Sequence, residues 1–519
     1  MHTRRRARPL LTFVVGLVAA ALALPTIAPA AQAAWDTAAN PTAVSLAGPK
    51  STQQDTLLRY ARDTWASFVA MTDPESGLPA DSLASDGTAS VQTSTTNIGA
   101  YMWSTVVADQ LGIISHAEAV SRLDRTLTTL AKMKRHKSSG QFFNWYDTTG
   151  KTLTVWPPTG TPVTPILSSV DNGWLATGLH VVANSVPEVS AKAEALFDSM
   201  HFGFYYRPDA NRIAFYYAPD AKLPPGFARS PCCYDTIVSE SRIASYIGIA
   251  TGEIPAKEYF GAWRTFPDDW SWQETKPVGF TRTYLGVSVF EGAYPYDGMR
   301  IVPGWGGSMF EALMPALFVP EETWGPESWA INHPLTVAAQ IHHGLVDAGY
   351  GYWGFSPSNI PEGGYHEYGV DALGLNPEGY PSNEDNTFVD YGFAGYRDPT
   401  PDPPPSAYTN GVVTPHASFL ALRWAPDATL ANLAKLERKF AIYDKWGFRD
   451  SVNVQTGTVS DSYLSLDQGI IMAAIGNALG EDLLRRAFAD RQFKQALQPV
   501  ISMEEFNAGP RDRAATPDH

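Results

Sequence analysis

The sequence predicts a mainly helical fold, a toroid of paired helices whose connecting loops form a cleft. Three observations support this prediction. Apolar residues recur at helical spacing in roughly a dozen segments between Gln53 and Leu497. The loops between these segments are rich in glycine, proline and aromatic residues. With 519 residues and 44% hydrophobic composition, the chain can bury one large core.

The first 33 residues have the pattern of an export signal. An arginine-rich start precedes an apolar run at residues 10–24, and a small-residue cleavage site follows at residues 31–33. The apolar run ends at Pro25 and is short for a membrane span, although an uncleaved anchor is the alternative. We therefore predict a secreted, extracellular protein with one domain over residues 34–507 and a disordered tail at 508–519.

The helices are predicted in order along the chain. Ser115 is the expected N-cap of the third helix, because Glu118 completes a capping box. Strand-like stretches are expected at 202–218 and 281–290, a hairpin at 140–157, and a long functional loop region at 350–411. The predicted helical segments are 53–71, 94–111, 115–134, 168–179, 189–200, 237–251, 307–315, 332–348, 414–422, 428–440, 466–479 and a final pair within 480–497.

The charge balance limits the classes of partner. The net charge is −15, and removal of the export signal would take away four arginines and no acid. Nucleic acids and anionic membranes are bound by basic surfaces, so we expect neither nucleic acid nor stable membrane association. Aromatic residues make up 12% of the chain, more than a core requires, and such rings stack on sugars in binding clefts. A polysaccharide partner is therefore expected. We also predict a monomer.

The only two cysteines, Cys232 and Cys233, are adjacent. They can build neither a disulfide framework nor a cysteine-type zinc site. Two buried thiols are expected, with a disulfide between the neighbours as the alternative. The pair His342 and His343 is predicted to be structural, because adjacent residues point in different directions on a helix. No metal or other cofactor is expected.

Four carboxylates lie in apolar segments where helices are predicted to begin: Asp171, Glu240, Glu311 and Asp467. Glu240 is the most distinctive, because it is placed near the start of a mostly buried helix that ends before Gly252. Burial raises the pKa of a carboxyl, and a general acid must hold its proton near neutral pH. The alternative for each of the four is a helix N-cap, a dipole contact or an ion pair, such as one between Glu240 and Arg242.

Other catalytic signatures are missing from the sequence. We find no Gly-x-Ser-x-Gly elbow, His-Glu-x-x-His motif, phosphate loop or dinucleotide fingerprint. Hydrolysis by paired carboxylates is the chemistry that the residues favour, with one acid protonating the leaving oxygen and the second carboxylate activating water or attacking C1.

Four ordered segments carry a family resemblance. They are residues 234–245 (YDTIVSESRIAS), 306–315 (GGSMFEALMP), 351–356 (GYWGFS) and 461–469 (DSYLSLDQG). These segments resemble signature blocks of the glucoamylase-like domain family, which contains bacterial endo-β-1,2-glucanases and is related to the transglycosylating domain of cyclic β-1,2-glucan synthases. The resemblance covers residues 55–500 and implies an (α/α)6 barrel with β-hairpins and long cleft-forming loops, no metal, and action on β-1,2-glucan.

The same resemblance implies roles for individual residues. Glu240 matches the general acid, and Asp467 is expected on the base side of an inverting reaction. Glu311 is the rival partner, as the nucleophile of a retaining reaction. Sugar contacts are expected from one acid, one arginine and several aromatic residues: Asp171, Trp174, Tyr234, Arg242, Trp305, Trp353, Phe355, Tyr365 and Tyr463.

Two features depart from the family pattern. The chain carries an extension at residues 357–408, rich in proline and acidic residues, and the adjacent Cys232 and Cys233 are unusual. Both lie near the expected cleft, so another β-glucan or an arabinan-like polymer is an alternative substrate. A non-catalytic glycan-binding envelope protein is the alternative from another class. A lyase on the same fold is less attractive, since the acidic chain suits a uronate substrate poorly.

Overall fold

The computed structural model describes residues 51–220, 227–230, 232–265, 275–374, 387–389 and 408–510, together with residues 222 and 406. The predicted export signal and C-terminal tail lie outside these residues. The described part is mainly helical. Its α-helices are α1 Ser51–Met71, α2 Thr95–Gln110, α3 His116–Leu130, α4 Ser169–Ser185, α5 Pro187–Asp198, α6 Arg242–Ala250, α7 Met309–Leu313, α8 Glu321–Trp324, α9 Trp329–His342, α10 Pro415–Leu420, α11 Pro426–Lys439, α12 Ser465–Leu479, α13 Leu483–Phe488 and α14 Arg491–Ile501.

Six of these helices, which we call the inner helices, contact one another in a closed cycle. Helix α2 packs on α4, α4 on α6, α7 on α10, α10 on α12, and α12 returns to α2. Between α6 and α7 the connection is made by Arg242, which donates to the backbone carbonyls of Glu311 and Ala312. Each of the six also has a helical neighbour outside this cycle. These neighbours are α3, α5, α14, α9, α11 and α1, for α2, α4, α6, α7, α10 and α12 respectively.

Glycine allows the inner helices to approach closely. A Cβ atom at Gly99 of α2 would lie 2.4 Å from the backbone oxygen of Trp174 in α4. One at Gly469 of α12 would lie 2.6 Å from the Cβ of Ala100. Glycine in a helix costs about 1 kcal/mol relative to alanine, so both positions exchange local helix stability for backbone contact. That contact fixes how the helix starts face one another.

Short strands connect the helices. They are β1 Ser82–Ala84, β2 Gln92–Ser94, β3 Trp145–Asp147, β4 Leu167–Ser168, β5 Tyr206–Arg207, β6 Arg212–Ile213, β7 Tyr216–Pro219, β8 Phe227–Arg229, β9 Val278–Tyr284, β10 Val287–Tyr296, β11 Met299–Ile301, β12 Ser358–Asn359, β13 Tyr365–Gly369, β14 Thr387–Val389, β15 Val412–Val413, β16 Tyr443–Asp444, β17 Gly447–Phe448, β18 Val452–Asn453, β19 Ser462–Leu464 and β20 Gly509–Pro510. The longest pair, β9 and β10, is antiparallel with Val287 opposite Tyr284. β1 pairs with β19, and β2 with β3.

Two predictions of local structure are corrected. The helix expected from residue 237 begins at Arg242, because the preceding backbone bonds elsewhere: Ile237 N–H donates to Trp263 O at 2.8 Å and Glu240 N–H to the Glu311 carboxylate. The two cysteines form a disulfide with each other, so the expected pair of thiols is wrong. The N-cap predicted at Ser115 is confirmed, since its hydroxyl accepts from Glu118 N–H at 3.2 Å. Among the described residues, no helix combines the length and apolarity needed to span a membrane.

Candidate active site

The four predicted carboxylates lie at the N-terminal ends of inner helices. Asp171, Glu311 and Asp467 occupy the first turns of α4, α7 and α12, and Glu240 lies two residues before α6. These ends also carry positive partial charge from the helix dipole, which favours an anion. The helix packing therefore gathers acids from four distant parts of the sequence around one site.

Glu240 is held by a tryptophan. The indole N–H of Trp174 donates to Oε2 of Glu240. Burial raises the pKa of the Glu240 carboxyl well above its usual value, and the negative charge of Glu311 adds to this rise. Asp171 and Glu367 act in the same direction, whereas the indole hydrogen bond lowers the pKa. The net effect is a raised pKa, so the carboxyl holds its proton more firmly than an ordinary glutamate does, which is the property a general acid requires.

Glu311 supports the Glu240 loop. Its Oε2 accepts the backbone N–H of Glu240 at 2.8 Å, and its own N–H donates to the Ser308 hydroxyl at 3.3 Å. The Glu311 side chain is buried, and burial raises its pKa to about 7 although hydrogen bonds from Glu240 and Ser239 oppose the rise. Glu311 thus fixes the loop and supplies negative charge beside Glu240.

Arg242 anchors the same loop from behind. All five of its N–H groups bond within the protein: two to Glu321, and the others to the carbonyls of Ser239, Glu311 and Ala312. The prediction that Arg242 contacts sugar is therefore corrected, because the guanidinium is buried and has no donor left. Burial alone would raise the pKa of Glu321, but Arg242 and a hydrogen bond from His333 lower it to about 2.

A second group of acids lies around Asp467. The buried side chains of Asp467 and Asp450 interact directly, and Asp450 Oδ2 accepts the Asn359 N–H at 2.5 Å. Burial and the charge of Asp450 raise the pKa of Asp467 well above its usual value, and burial also raises the pKa of Asp450. Asp81 lies beside them, where it accepts from the Asn97 amide at 2.8 Å. We call Asp81, Asp450 and Asp467 the aspartate cluster.

The aspartate cluster has no cationic partner within the described part of the chain. His416 Nδ1 lies 3.4 Å from Asp467 Oδ2, but burial lowers the pKa of His416 to about 3, so the imidazole is neutral. Two buried carboxylates without a counter-charge are costly, so Asp450 and Asp467 are expected to share one proton. His416, Asp450 and Asp467 each offer a ligand atom, all within 4.8 Å of one another, so the spacing of this trio could accommodate a metal ion. The Nδ1 atom of His416 already contacts the Thr414 hydroxyl at 2.8 Å, which competes with such a role.

Tyr365 connects the two groups of acids. Its side chain extends from β13 and is 55% exposed as a residue. Partial burial and the negative charges of Asp467 and Asp450 raise the pKa of Tyr365 well above the usual value. Glu367 and Glu240 also contribute to that rise. The charges of both groups of acids therefore act on this one phenol. We call Asp171, Glu240, Glu311 and Glu367 the acid-loop cluster.

The residues predicted to contact sugar differ in how much of their side-chain surface is exposed. Asp171, Tyr234 and Tyr365 keep accessible surface. Trp305 is 5% exposed and stacks behind Tyr234 with ring centroids 5.8 Å apart. The remaining aromatic predictions are corrected because the side chains are buried in the core: Trp174, Trp353, Phe355 and Tyr463.

Three site residues were missed by the sequence reasoning: Asp81, Asp450 and Glu367. Asp81 ends a turn-rich loop, Asp450 lies between two short strands, and Glu367 lies in β13. None has helical periodicity around it, so the signal used for the other acids does not apply. The pairing of β12 with β13 brings Glu367 to the site, where the Ser308 hydroxyl donates to its Oε1 at 3.3 Å.

Family models match most of the helical region. Residues 234–492 match the Glycoamylase family, described as "Putative glucoamylase", and residues 59–203 match DUF3131, a family of unknown function. The chain carries a glucoamylase-like domain. The predicted family is thereby confirmed, and all the acids of the aspartate and acid-loop clusters except Asp81 and Asp171 lie within this domain.

Known proteins resemble the chain in sequence and in fold. It is 23% identical to the cyclic β-(1,2)-glucan synthase NdvB of Rhizobium meliloti (strain 1021) in an alignment 602 residues long. That alignment includes 88% of this chain but 18% of the relative. The endo-β-1,2-glucanase of Chitinophaga pinensis, solved with sophorotriose and glucose, superposes with a TM-score of 0.60 at 17% identity, covering 86% of this chain and 98% of that one. A Talaromyces funiculosus endo-β-1,2-glucanase mutant with β-1,2-glucan gives 0.59 at 12% identity, covering 93% and 95%. At sequence identities of 12% and 17%, these superpositions show similarity of fold. The glucoamylase-like domain therefore shares the fold of the solved enzymes.

Proposed function

We propose that the protein is a secreted, monomeric endo-glycoside hydrolase that cleaves β-1,2-glucan to oligosaccharides. The proposed architecture is an (α/α)6 barrel, supported by the closed cycle of six inner helices, each of which also packs on a helix outside the cycle. The substrate is supported by relatives whose names specify β-1,2-glucan, among them the Chitinophaga and Talaromyces enzymes. The protein is proposed to act extracellularly after removal of residues 1–33.

The observation that carries the proposal is the environment of Glu240. A half-buried carboxyl with negative neighbours holds its proton, and the Trp174 indole fixes its orientation. In the proposed reaction this proton passes to the glycosidic oxygen as the C1–O bond breaks, which lets the leaving sugar depart as a neutral alcohol. Glu240 becomes a carboxylate and regains a proton from water after the product leaves.

Asp467 is proposed for the base side. A water molecule attacks C1 from the face opposite the leaving oxygen, and its proton passes to Asp467 directly or along a chain of hydroxyl groups. The anomeric configuration is then inverted. Asp467 must be ionised for this step, so the proton shared by the pair must reside on Asp450 when substrate is bound. Glu311 is less suited to attack C1, since its carboxylate already accepts hydrogen bonds from the Glu240 N–H and from Ser239.

The test is product analysis with a panel of linear β-1,2-, β-1,3-, β-1,4- and α-linked glucans and an arabinan. Oligosaccharides from β-1,2-glucan alone are expected, and early products measured by NMR should have the inverted anomer. Cleavage of another polymer would move the substrate assignment, and retained configuration would favour Glu311 as a nucleophile. Polysaccharide binding without cleavage would favour the glycan-binding alternative.

A further inference from the structure

Two tryptophans beside the acid-loop cluster have no role in the proposed chemistry. Trp145 begins β3, and Trp156 lies in the turn region that follows it. Their rings meet edge to face, with centroids 4.9 Å apart and an interplanar angle of 78°. An edge-to-face contact covers one face of one ring, so the pair itself leaves other ring surface uncovered. Both side chains are partly exposed.

A polar link joins this pair to Asp171. With the Asn144 amide oriented to satisfy its neighbours, its nitrogen donates to Asp171 Oδ2 at 2.7 Å and its oxygen accepts from Trp145 Nε1 at 2.9 Å. The other oxygen of Asp171 accepts from the Thr96 hydroxyl at 2.6 Å. Asp171 in turn lies within electrostatic reach of Glu240. A partly exposed path therefore runs from Glu240 through Asp171 and Asn144 to the tryptophans.

The backbone holds the tryptophans in place. Leu153 N–H donates to Trp145 O at 3.0 Å, and Trp156 N–H donates to Thr161 O at 2.7 Å. β3 itself pairs with β2, with Trp145 opposite Ser94, one residue before α2. Aromatic side chains on a hydrogen-bonded hairpin lose little conformational entropy when they bind a ligand. This is the arrangement of a preformed stacking platform.

We propose that Trp156, Trp145 and Asn144 form a glucan-binding subsite that holds a glucosyl residue remote from the cleaved bond. A pyranose ring offers an apolar C–H face to an indole, while its hydroxyl groups can reach the amide and carboxylate beside it. This inference rests on the proposed function, because it assigns these residues to the same polysaccharide. It makes the hairpin at residues 145–163 a determinant of chain-length preference.

The test compares polymer with short substrate. Trp156→Ala should raise KM for β-1,2-glucan polymer about tenfold, with kcat and hydrolysis of the shortest cleaved oligosaccharide changed less than about twofold. Trp156→Phe should retain most of the affinity because it keeps an aromatic face. Val155→Ala is the matched control, since Val155 is the neighbouring residue, 49% exposed and not aromatic, and should leave both substrates unchanged.

The outcomes separate the two proposals. An unchanged KM for polymer in Trp156→Ala, or an equal loss on short and long substrates, would overturn the subsite while leaving the hydrolase intact. If the wild-type protein cleaves no glucan, affinity gels with the same polysaccharides decide the subsite directly. Retardation of the wild type that is lost in Trp156→Ala but kept in Val155→Ala would support it, and absence of any retardation would overturn it.

Discussion

Buried negative charge is handled in opposite ways by the ion pair of Arg242 and Glu321, behind the acid-loop cluster, and by the aspartate cluster. Behind the acid-loop cluster, Arg242 compensates Glu321 fully, so the scaffold is charged but balanced. In the aspartate cluster the neighbouring His416 is neutral, and no lysine or arginine pairs with its carboxylates within the described chain. The first arrangement fixes a backbone, whereas the second must retain a proton. A site built from acids can therefore separate positioning from proton storage.

Removal of the transferable proton should have the largest effect. Glu240→Gln keeps the shape and the Trp174 contact but cannot donate a proton, so we expect kcat to fall about a thousandfold. The thermal unfolding midpoint should stay within a few degrees of the wild type. Initial rates on β-1,2-glucan and a circular-dichroism melt measure both quantities. Near-normal turnover would show that Glu240 is not the acid.

Substitutions of Asp467 and Asp450, the two buried members of the aspartate cluster, should affect kcat unequally. Asp467→Asn is expected to lower kcat by about a hundredfold or more, because it removes the base. Asp450→Asn keeps the base and puts an uncharged amide in place of the protonated Asp450, so kcat should fall less than about tenfold and the acidic limb of kcat/KM should stay in place. Initial rates and pH profiles of both variants measure this. Equal losses in the two variants would contradict the assignment of the base to Asp467.

Loss of the ion pair between Arg242 and Glu321 should lower the stability of the fold. Arg242→Met leaves the buried Glu321 without its main partner and is expected to destabilise the fold by about 3–5 kcal/mol. In the wild type, the pKa of Glu321 is lowered, so its contribution to stability is present above pH 4.5 and is lost as the pH falls toward 2. Urea titrations at several pH values measure both effects. Arg122→Met, at a partly exposed pair with Glu118, is the control and should cost less than about 1 kcal/mol.

Substitution of Glu311 and of Trp174, two neighbours of Glu240, should have a smaller effect. The two substitutions should shift the pKa of Glu240 in opposite directions. Glu311→Gln removes a charge that raises the pKa of Glu240, so the alkaline limb of kcat/KM should move to lower pH. Trp174→Phe removes a hydrogen bond that lowers that pKa, so the limb should move to higher pH. We expect shifts of about one pH unit. Movement in the same direction in both variants would contradict this account of how the acid is tuned.

The smallest effect concerns the trio of His416, Asp450 and Asp467. If a shared proton compensates the aspartates, treatment with EDTA should leave kcat/KM unchanged. The residual rate of the Glu240→Gln variant serves as the background in this measurement. A loss that is restored by one divalent cation would instead assign the trio as a metal site, and the comparison between the two groups would have to be redrawn.

Helical periodicity predicted most of the fold and the part of the site that depends on helix starts. Asp171, Glu311 and Asp467 were placed correctly, because an acid at the first turn has a local pattern around it. Asp81, Asp450 and Glu367 were missed, since they reach the site through strand pairing and loop packing between distant segments.

Burial was the harder property to predict. Arg242 was taken for a sugar contact, but its five donors are used by groups up to 79 residues away, which no local pattern reveals. Trp353 and Phe355 lie in a segment that resembles a signature block of the family, yet their side chains pack in the core. An aromatic residue has the same sequence signature in a cleft wall and in a core, because both environments favour large apolar surface.

The return of α12 to α2 affects how the protein can be synthesised. The Trp103 indole donates to Gly469 O across 366 residues, so the inner face of α2 gains this cover only when α12 has been made. At typical elongation rates, the ribosome needs roughly 20–70 s to cover that interval. During this time the nascent chain exposes apolar helix surface. Its yield in a cell should therefore depend on chaperones that bind such surface until translation reaches the final helices.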